Sequence, residues 1–159
     1  MSPLLDRIDA AIADKNLLRH PFYQAWTAGE LALEDLALYS GQYFKQVRDF
    51  PRYLGHVYAR CEDVTLRRRV LENIVEEDQG EDNHLELWLR FAEGVGLPRE
   101  RCEAAEALPQ TAEAVATLGR LAEEGSPAAA MASIYAYEAM VPEVAEAKVD
   151  GLRRFYGID

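Results

Sequence analysis

Two glutamates and a histidine lie where the helical period of this sequence assigns apolar residues. Glu77 continues one apolar stripe, His84 begins another, and Glu138 interrupts a third. The apolar members of these stripes are Leu66, Val70 and Ile74 for Glu77, Leu87, Trp88 and Phe91 for His84, and Met131, Ile134, Tyr135, Val141 and Ala145 for Glu138. Burying an isolated carboxylate costs several kcal/mol unless it is neutralised, hydrogen-bonded or bound to a cation. Together the three side chains predict a metal cation, although for any one of them a hydrogen bond in the core is the commoner explanation.

The spacing of Glu77 and His84 also predicts local structure between them. An unbroken helix would separate them by about 10.5 Å along its axis, which is close to the limit for two ligands of one ion. We therefore expect a bend or break around residues 78–80. The other acids within 76–82 are interpreted as a solvated face, with Asp82 as the N-cap of the next helix. Mixed carboxylate and imidazole ligands on inward helix faces are typical of di-iron and di-manganese bundles.

A lysine and a tyrosine stand out elsewhere in the chain. Lys148 lies on an apolar run with steps of three and four residues. Its amine therefore either reaches solvent at the end of its long side chain, or is desolvated with a lowered pKa and acts as a nucleophile. Tyr23 lies in an aromatic cluster with Phe22 and Trp26, for which core packing is the default interpretation.

The elements that must position these residues are all predicted to be helices. Apolar residues recur at helical steps between sparse prolines and glycines, and no stretch alternates as a strand would. The predicted helices cover about residues 3–15, 20–29, 33–48, 51–61, 64–79, 82–94, 110–124, 127–141 and 142–156. Asp49 before Phe50 and Pro51 predicts a helix start at that point, and Cys102 falls in a predicted charged loop. The pattern predicts an all-α bundle that forms one domain over residues 1–159.

The composition narrows the class of protein. The 159 residues carry 28 acidic and 17 basic side chains, for a formal net charge of −11 and a pI near 4.7. This acidity argues against a nucleic-acid partner, because binding phosphates requires a basic surface. No apolar stretch reaches the roughly 18 residues of a membrane span. The two cysteines, Cys61 and Cys102, have no metal-binding spacing. We therefore expect a cytoplasmic protein with neither nucleic acid nor a membrane as partner.

Three segments resemble a known family. They are HPFYQAWTAGEL from residue 20, NIVEEDQGEDNHLELWLRFAEGVGL from residue 73, and YAYEAMVPEVAEAKVDGLRRFYG from residue 135. They resemble the haem-oxygenase-like diiron oxidase and oxygenase family, also described as TenA/PqqC-like. Within it, the likeness is greatest to the branch of the chlamydial death-domain-associating protein, which makes para-aminobenzoate. The resemblance implies a bundle of seven to eight helices, usually a homodimer, that binds no haem.

The resemblance also assigns roles to residues of this chain. It places metal ligands at Glu77, His84 and Glu138, for iron or manganese, with two ions if further ligands follow and O₂ as co-substrate. It implies that Tyr23 is cleaved to supply an aromatic ring and that Lys148 supplies nitrogen, with Tyr137 as a radical relay. The expected function is an O₂-activating oxidase or oxygenase that makes para-aminobenzoate for folate biosynthesis from its own tyrosine. The substrate could instead be a small molecule.

The family pattern includes a final helix with the spacing HxxxDxxH, which lies beyond Asp159 in this numbering. We expect that a C-terminal segment has been omitted, so that the bundle described by residues 1–159 lacks its last helix. The alternative is a variant that holds at most one weakly bound metal. Either way, an apolar groove along residues 127–156 is expected to be exposed. The remaining histidines, His20 and His56, are interpreted as structural or surface residues.

Three other functions stay open on the same residues. A cofactorless oxidase, as in the PqqC branch, needs only a pocket with polar donors. A thiaminase of the TenA type needs a cysteine nucleophile, for which neither Cys61 nor Cys102 is well placed. A non-enzymatic module would use the acidic surface and the exposed groove to dock a partner helix.

Overall fold

The computed structural model describes residues 3–158, and within this range every regular element is helical. The nine α-helices of this range are α1 Pro3–Asp14, α2 Pro21–Ala28, α3 Leu33–Arg60, α4 Val64–Asp78, α5 His84–Gly94, α6 Arg99–Ala104, α7 Pro109–Glu124, α8 Pro127–Glu138 and α9 Val141–Gly151. A 3₁₀ turn at Leu17–Arg19 precedes α2, and a π-helical turn at Leu152–Tyr156 follows α9. The all-α prediction is confirmed.

Contacts between residues divide the described chain into two compact units. The central unit is Leu33–Ser133, and the terminal unit is formed by residues 3–32 together with 134–158. Each unit is described by itself below. The organisation of the chain as one domain stays a prediction.

The long helix α3 is continuous where the sequence predicts two helices. Pro51 lies inside it, although a proline in a helix interior costs about 3 kcal/mol. The predicted cap at Asp49 is wrong, because its buried carboxylate accepts hydrogen bonds from Arg48 Nε and Nη2 at 3.0 and 2.9 Å and from Arg52 Nη1 at 3.4 Å. Buried side chains occur on both sides of Pro51, so packing along the whole helix offsets the local penalty.

The core of the central unit brings α3 together with α5 and α6. Its fully packed members are Phe44, Leu89, Ala92 and Cys102. Cys102 lies on α6, so its predicted place in a loop is wrong. The helix was missed because six residues are too short to show a period. Lys45 of α3 donates to the Glu103 carbonyl oxygen at 2.9 Å, which satisfies the C-terminal end of α6.

The terminal unit is held together by the packing of α2 on α9. Trp26 is fully buried, and its indole N–H donates to the Lys148 carbonyl oxygen at 3.2 Å. Gly151 lies so close to this ring that a Cβ atom there would come within 2.5 Å of Trp26 Cδ1. The Tyr156 hydroxyl donates to the Leu31 carbonyl oxygen at 3.0 Å and ties the π-helical turn to the residues after α2.

Candidate active site

The chain breaks between Glu77 and His84, as the sequence predicts. Helix α4 ends at Asp78, Gly80 takes a positive φ of 89°, and α5 begins at His84. The break brings the two side chains together, with Glu77 Oε2 2.8 Å from His84 Nδ1. The N-cap of α5 is Asn83 rather than the predicted Asp82, since the Asn83 side chain accepts from the amide of Glu86.

The two side chains of this pair differ in exposure. The Glu77 side chain is only 12% exposed, which confirms its predicted inward position. The His84 side chain is 56% exposed, so the prediction that it faces the core is wrong. The turn at Gly80 changes the direction of the chain, and the buried positions of α5 are Leu89 and Ala92. The pair therefore lies at the surface, with its carboxylate on the inner side.

The electrostatic environment of Glu77 favours a cation. Burial raises the pKa of the Glu77 carboxyl, and the neighbouring carboxylates of Glu76 and Asp78 raise it further. The charge and hydrogen bond of His84 act in the opposite direction but do not offset these effects. The C-terminal end of α4 adds negative partial charge at the same place. A positive ion bound here would relieve the repulsion.

Glu138 does not continue an inward stripe. It is exposed at the last residue of α8, and its predicted burial is wrong. Within α8 the stripe holds at Ile134, which is buried, but not at Tyr135, which is 40% exposed, and α8 ends before Val141 begins a new helix. The phase of the apolar period is therefore lost between them. Glu138 belongs to the terminal unit, and its role as a metal ligand stays a prediction.

The donor types of the Glu77–His84 pair suit a bound metal ion, but they fill only part of its coordination shell. Two ligands that each lie about 2.1 Å from one ion at right angles are about 3 Å apart, close to the observed 2.8 Å. Carboxylate oxygen and imidazole nitrogen serve iron, manganese and zinc alike. Within residues 3–158, no group of three or more His, Cys, Asp or Glu side chains is placed to hold a metal ion. The described residues thus offer a pair of donors.

Tyr23 and Lys148 lie on α2 and α9, the two helices whose packing holds the terminal unit together. Tyr23 is buried on α2, where its ring meets Phe22 edge-on at 5.4 Å between centroids. The Lys148 side chain on α9 is largely desolvated, which lowers the pKa of its amine to about 8. Of the two alternatives for Lys148, the structure supports the desolvated amine. Tyr137 is partly buried near the end of α8 in the same unit.

The remaining histidines and cysteines have local structural surroundings. His20 caps α2, because its Nδ1 accepts from the amide of Phe22 at 3.2 Å, as expected of a structural residue. Burial raises the pKa of the Cys102 thiol, which disfavours the thiolate that a hydrolase of the thiaminase type requires. Cys61 donates to the Asp63 carbonyl oxygen at 3.4 Å.

Gln46 was missed by the sequence analysis. It is 7% exposed on α3, and within residues 3–158 its Nε2 is the only buried side-chain nitrogen or oxygen without a hydrogen-bond partner. An unsatisfied buried donor costs about 1–3 kcal/mol, so it is expected to be retained only where a bound group accepts from it. A glutamine carries no charge and has no titratable group, so its sequence context gave no functional signal.

None of the helices within residues 3–158 combines the length and the apolar character needed to cross a bilayer.

Comparison with known proteins places this fold in a family. Residues 8–157 match the model of the TENA/THI-4/PQQC family. The chain belongs to this family. Because the match covers nearly the whole chain, the family resemblance seen in the sequence is confirmed.

Relatives within the TENA/THI-4/PQQC family carry two kinds of name. A 4-aminobenzoate synthase of Chlamydia muridarum is 39% identical over 96% of this chain, and one of Chlamydia pneumoniae is 34% identical over 99%. A pyrroloquinoline-quinone synthase of Pseudomonas aeruginosa is 29% identical over 93% of this chain. The chain spans 65%, 70% and 61% of the lengths of these three relatives, respectively. All three relatives are named as synthases.

Proposed function

We propose that this protein is an O₂-dependent oxidase that forms 4-aminobenzoate from its own side chains, with Tyr23 supplying the ring and Lys148 the nitrogen. The proposal rests on its similarity to 4-aminobenzoate synthases and on one structural observation, the Glu77–His84 pair at the break between α4 and α5. A carboxylate and an imidazole at 2.8 Å, with further acids beside the carboxylate, are donor types that suit a cation and so support the proposal.

The metal would be held by Glu77 and His84, with Glu138 proposed as a further ligand. Iron or manganese bound there would supply the capacity to activate O₂. The Glu77 carboxylate would bind the ion, and the ion would relieve the repulsion between this carboxylate and those of Glu76 and Asp78. Gln46 would donate a hydrogen bond from its unpaired Nε2 to a bound group inside the central unit.

The amine of Lys148 is prepared for nucleophilic chemistry by its surroundings. With a pKa of about 8, about one tenth of this amine is neutral at pH 7, roughly 300 times more than for an amine at its ordinary 10.5. A neutral amine has the free electron pair that forms a bond to carbon. The Tyr23 ring is buried on α2, and α2 packs on α9. The ring and the desolvated Lys148 amine therefore lie on neighbouring helices. Tyr137 is proposed as a relay for oxidising equivalents.

Isotope labelling tests the proposal, because it shows whether a lysine supplies the nitrogen of the product. Protein labelled with ¹⁵N only at lysine is purified anaerobically, loaded with iron and exposed to O₂, and the small molecules are analysed by mass spectrometry. The proposal expects 4-aminobenzoate that carries ¹⁵N, at no more than one equivalent per chain, together with a matching loss of protein mass. Unlabelled product, or product that exceeds one equivalent, would overturn the self-consuming reaction.

Variants separate the roles of the residues. Tyr23→Phe and Lys148→Arg are expected to abolish the product while metal content stays normal. Glu77→Gln and His84→Ala are expected to lower both metal content and product. Glu72→Gln is the matched control for Glu77, since Glu72 is an exposed glutamate on the same helix and is not among the carboxylates that act on Glu77. Normal metal content in Glu77→Gln would remove this pair from the site.

The second candidate is a cofactorless oxidase that acts on a small molecule. It is favoured by the 29% identity to a pyrroloquinoline-quinone synthase over 93% of this chain. It predicts O₂ consumption with an added substrate after chelation of all metal. The same labelled protein would then yield no ¹⁵N product.

A further inference from the structure

A surface tyrosine of the terminal unit forms a short bond to a carboxylate. The Tyr135 hydroxyl donates to Asp9 Oδ1 at 2.7 Å and joins α8 to α1. This distance is typical of charge-assisted O–H···O⁻ bonds, which are shorter and stronger than bonds between neutral groups. The Tyr135 residue is 40% exposed, so its ring can be reached by molecules in solution.

The pairing suits the oxidation of a phenol. Removing one electron from a tyrosine makes its hydroxyl strongly acidic, and the loss is easier where a base already accepts that proton. Asp9 is such a base, because it is already the hydrogen-bond acceptor. Tyr137 lies two residues further along α8, about 3 Å along the helix axis and on a different face of the helix.

We propose that Tyr135, with Asp9 as its proton acceptor, is a redox-active surface residue that transfers oxidising equivalents from the protein to reductants in solution. The inference rests on the proposed function, which supplies a one-electron oxidant as a radical on Tyr137. One electron passes from the Tyr135 ring to that radical, which takes up a proton from its surroundings, and the phenolic proton of Tyr135 moves to Asp9. A thiol or ascorbate in solution then returns one electron to Tyr135, and Asp9 returns the proton. This transfer protects the protein from oxidative damage when an oxidant forms but no 4-aminobenzoate is made.

Tyr58 is a matched control on the same chain. It is exposed to a similar degree, at 37%, but lies beside a cation instead of a carboxylate, with the Arg67 guanidinium carbon 6.0 Å from its ring centroid. A neighbouring positive charge opposes the loss of an electron from a ring. The two tyrosines therefore differ mainly in the charge and basicity of their neighbour.

The experiment uses an external oxidant, so that it does not depend on metal or on turnover. The full natural chain as purified is photo-oxidised with a ruthenium tris-bipyridine complex and persulfate in the presence of a nitroso spin trap, and adducts are located by peptide mass spectrometry. We expect several times more adduct at Tyr135 than at Tyr58. Asp9→Asn keeps a hydrogen-bond acceptor but not a base, and it should lower the Tyr135 adduct to the Tyr58 level.

A kinetic signature accompanies the adducts. In the natural protein the rate at which the Tyr135 radical forms should not depend on buffer concentration, because the base is internal. In Asp9→Asn it should rise with buffer concentration. Equal adducts at the two tyrosines, or no effect of Asp9→Asn, would overturn the inference even if 4-aminobenzoate is formed. If the adduct pattern holds but iron and O₂ give no product, the proposed function fails and the redox pair stands.

Discussion

Replacement of Lys148 by methionine is expected to stabilise the protein at neutral pH. Methionine has similar length and no charge, so Lys148→Met removes the cost of holding an ammonium group in a desolvated position on α9. The shift of the Lys148 pKa from 10.5 to about 8 measures that cost. At about 1.4 kcal/mol per pH unit, it amounts to about 3 kcal/mol at pH 7.

The pH dependence has a definite sign. Between about pH 8 and 10.5 the unfolded chain binds a proton on Lys148 that the folded chain has released. The free energy of unfolding of the natural protein therefore rises with pH through this window. The advantage of Lys148→Met should be full below pH 8 and should disappear by about pH 10.5.

Urea unfolding followed by the helical circular dichroism signal measures this difference at pH 7 and pH 10.5. Lys15→Met is the control, because Lys15 is exposed just after α1, and it should leave the free energy of unfolding unchanged. A Lys148→Met variant that is less stable than the natural protein at pH 7, or equally shifted at both pH values, would refute the desolvation of this amine. The nucleophile of the proposed reaction would then have to be explained in another way.

Three further changes test the packing described above. Asp49→Asn should lower the free energy of unfolding by about 1–3 kcal/mol, because the bonds from Arg48 lose their charged acceptor. The arginines lower the pKa of Asp49, so the natural protein should lose this stabilisation as pH falls below the ordinary pKa of aspartate. Urea unfolding from pH 7 to pH 3 should show this loss for the natural protein and not for Asp49→Asn. Gly151→Ala should destabilise by about 1–3 kcal/mol, because its methyl group would overlap Trp26, and the Trp26 fluorescence should change. Gly55→Ala, with no atom within 4 Å of its added Cβ, should instead stabilise α3 by about 0.5–1 kcal/mol. Thermal unfolding measures both glycine variants, and equal shifts in the two would contradict both predictions.

The sequence predicted local structure well where one strong local rule applied. The break before His84 is such a case, because an unbroken helix would hold Glu77 and His84 about 10.5 Å apart along its axis, and Gly80 takes a positive φ at this break. The same reasoning was wrong at Pro51, where a local stop signal is overridden by packing along α3. It also missed α6, which is too short to show a period but contributes Cys102 to the core.

The candidate site was only partly predictable from sequence. The residue types of the pair and the inward position of Glu77 followed from periodicity. The exposure of His84 and Glu138 did not, because each lies at a helix end where the period no longer fixes direction. Gln46 left no signal at all, since an unsatisfied donor can be recognised only from the atoms around it.

By itself, the amino-acid sequence determined the helical class of this protein and the set of side chains able to bind a cation or supply an amine. Apolar spacing encodes which residues share a face of one unbroken helix, and family likeness adds their expected roles. Only the tertiary structure decided which helices continue, which side chains meet, and whether the Lys148 amine is desolvated. Those outcomes depend on neighbours distant in sequence, because burial, contact distance and pKa are set by the atoms that surround a group in space.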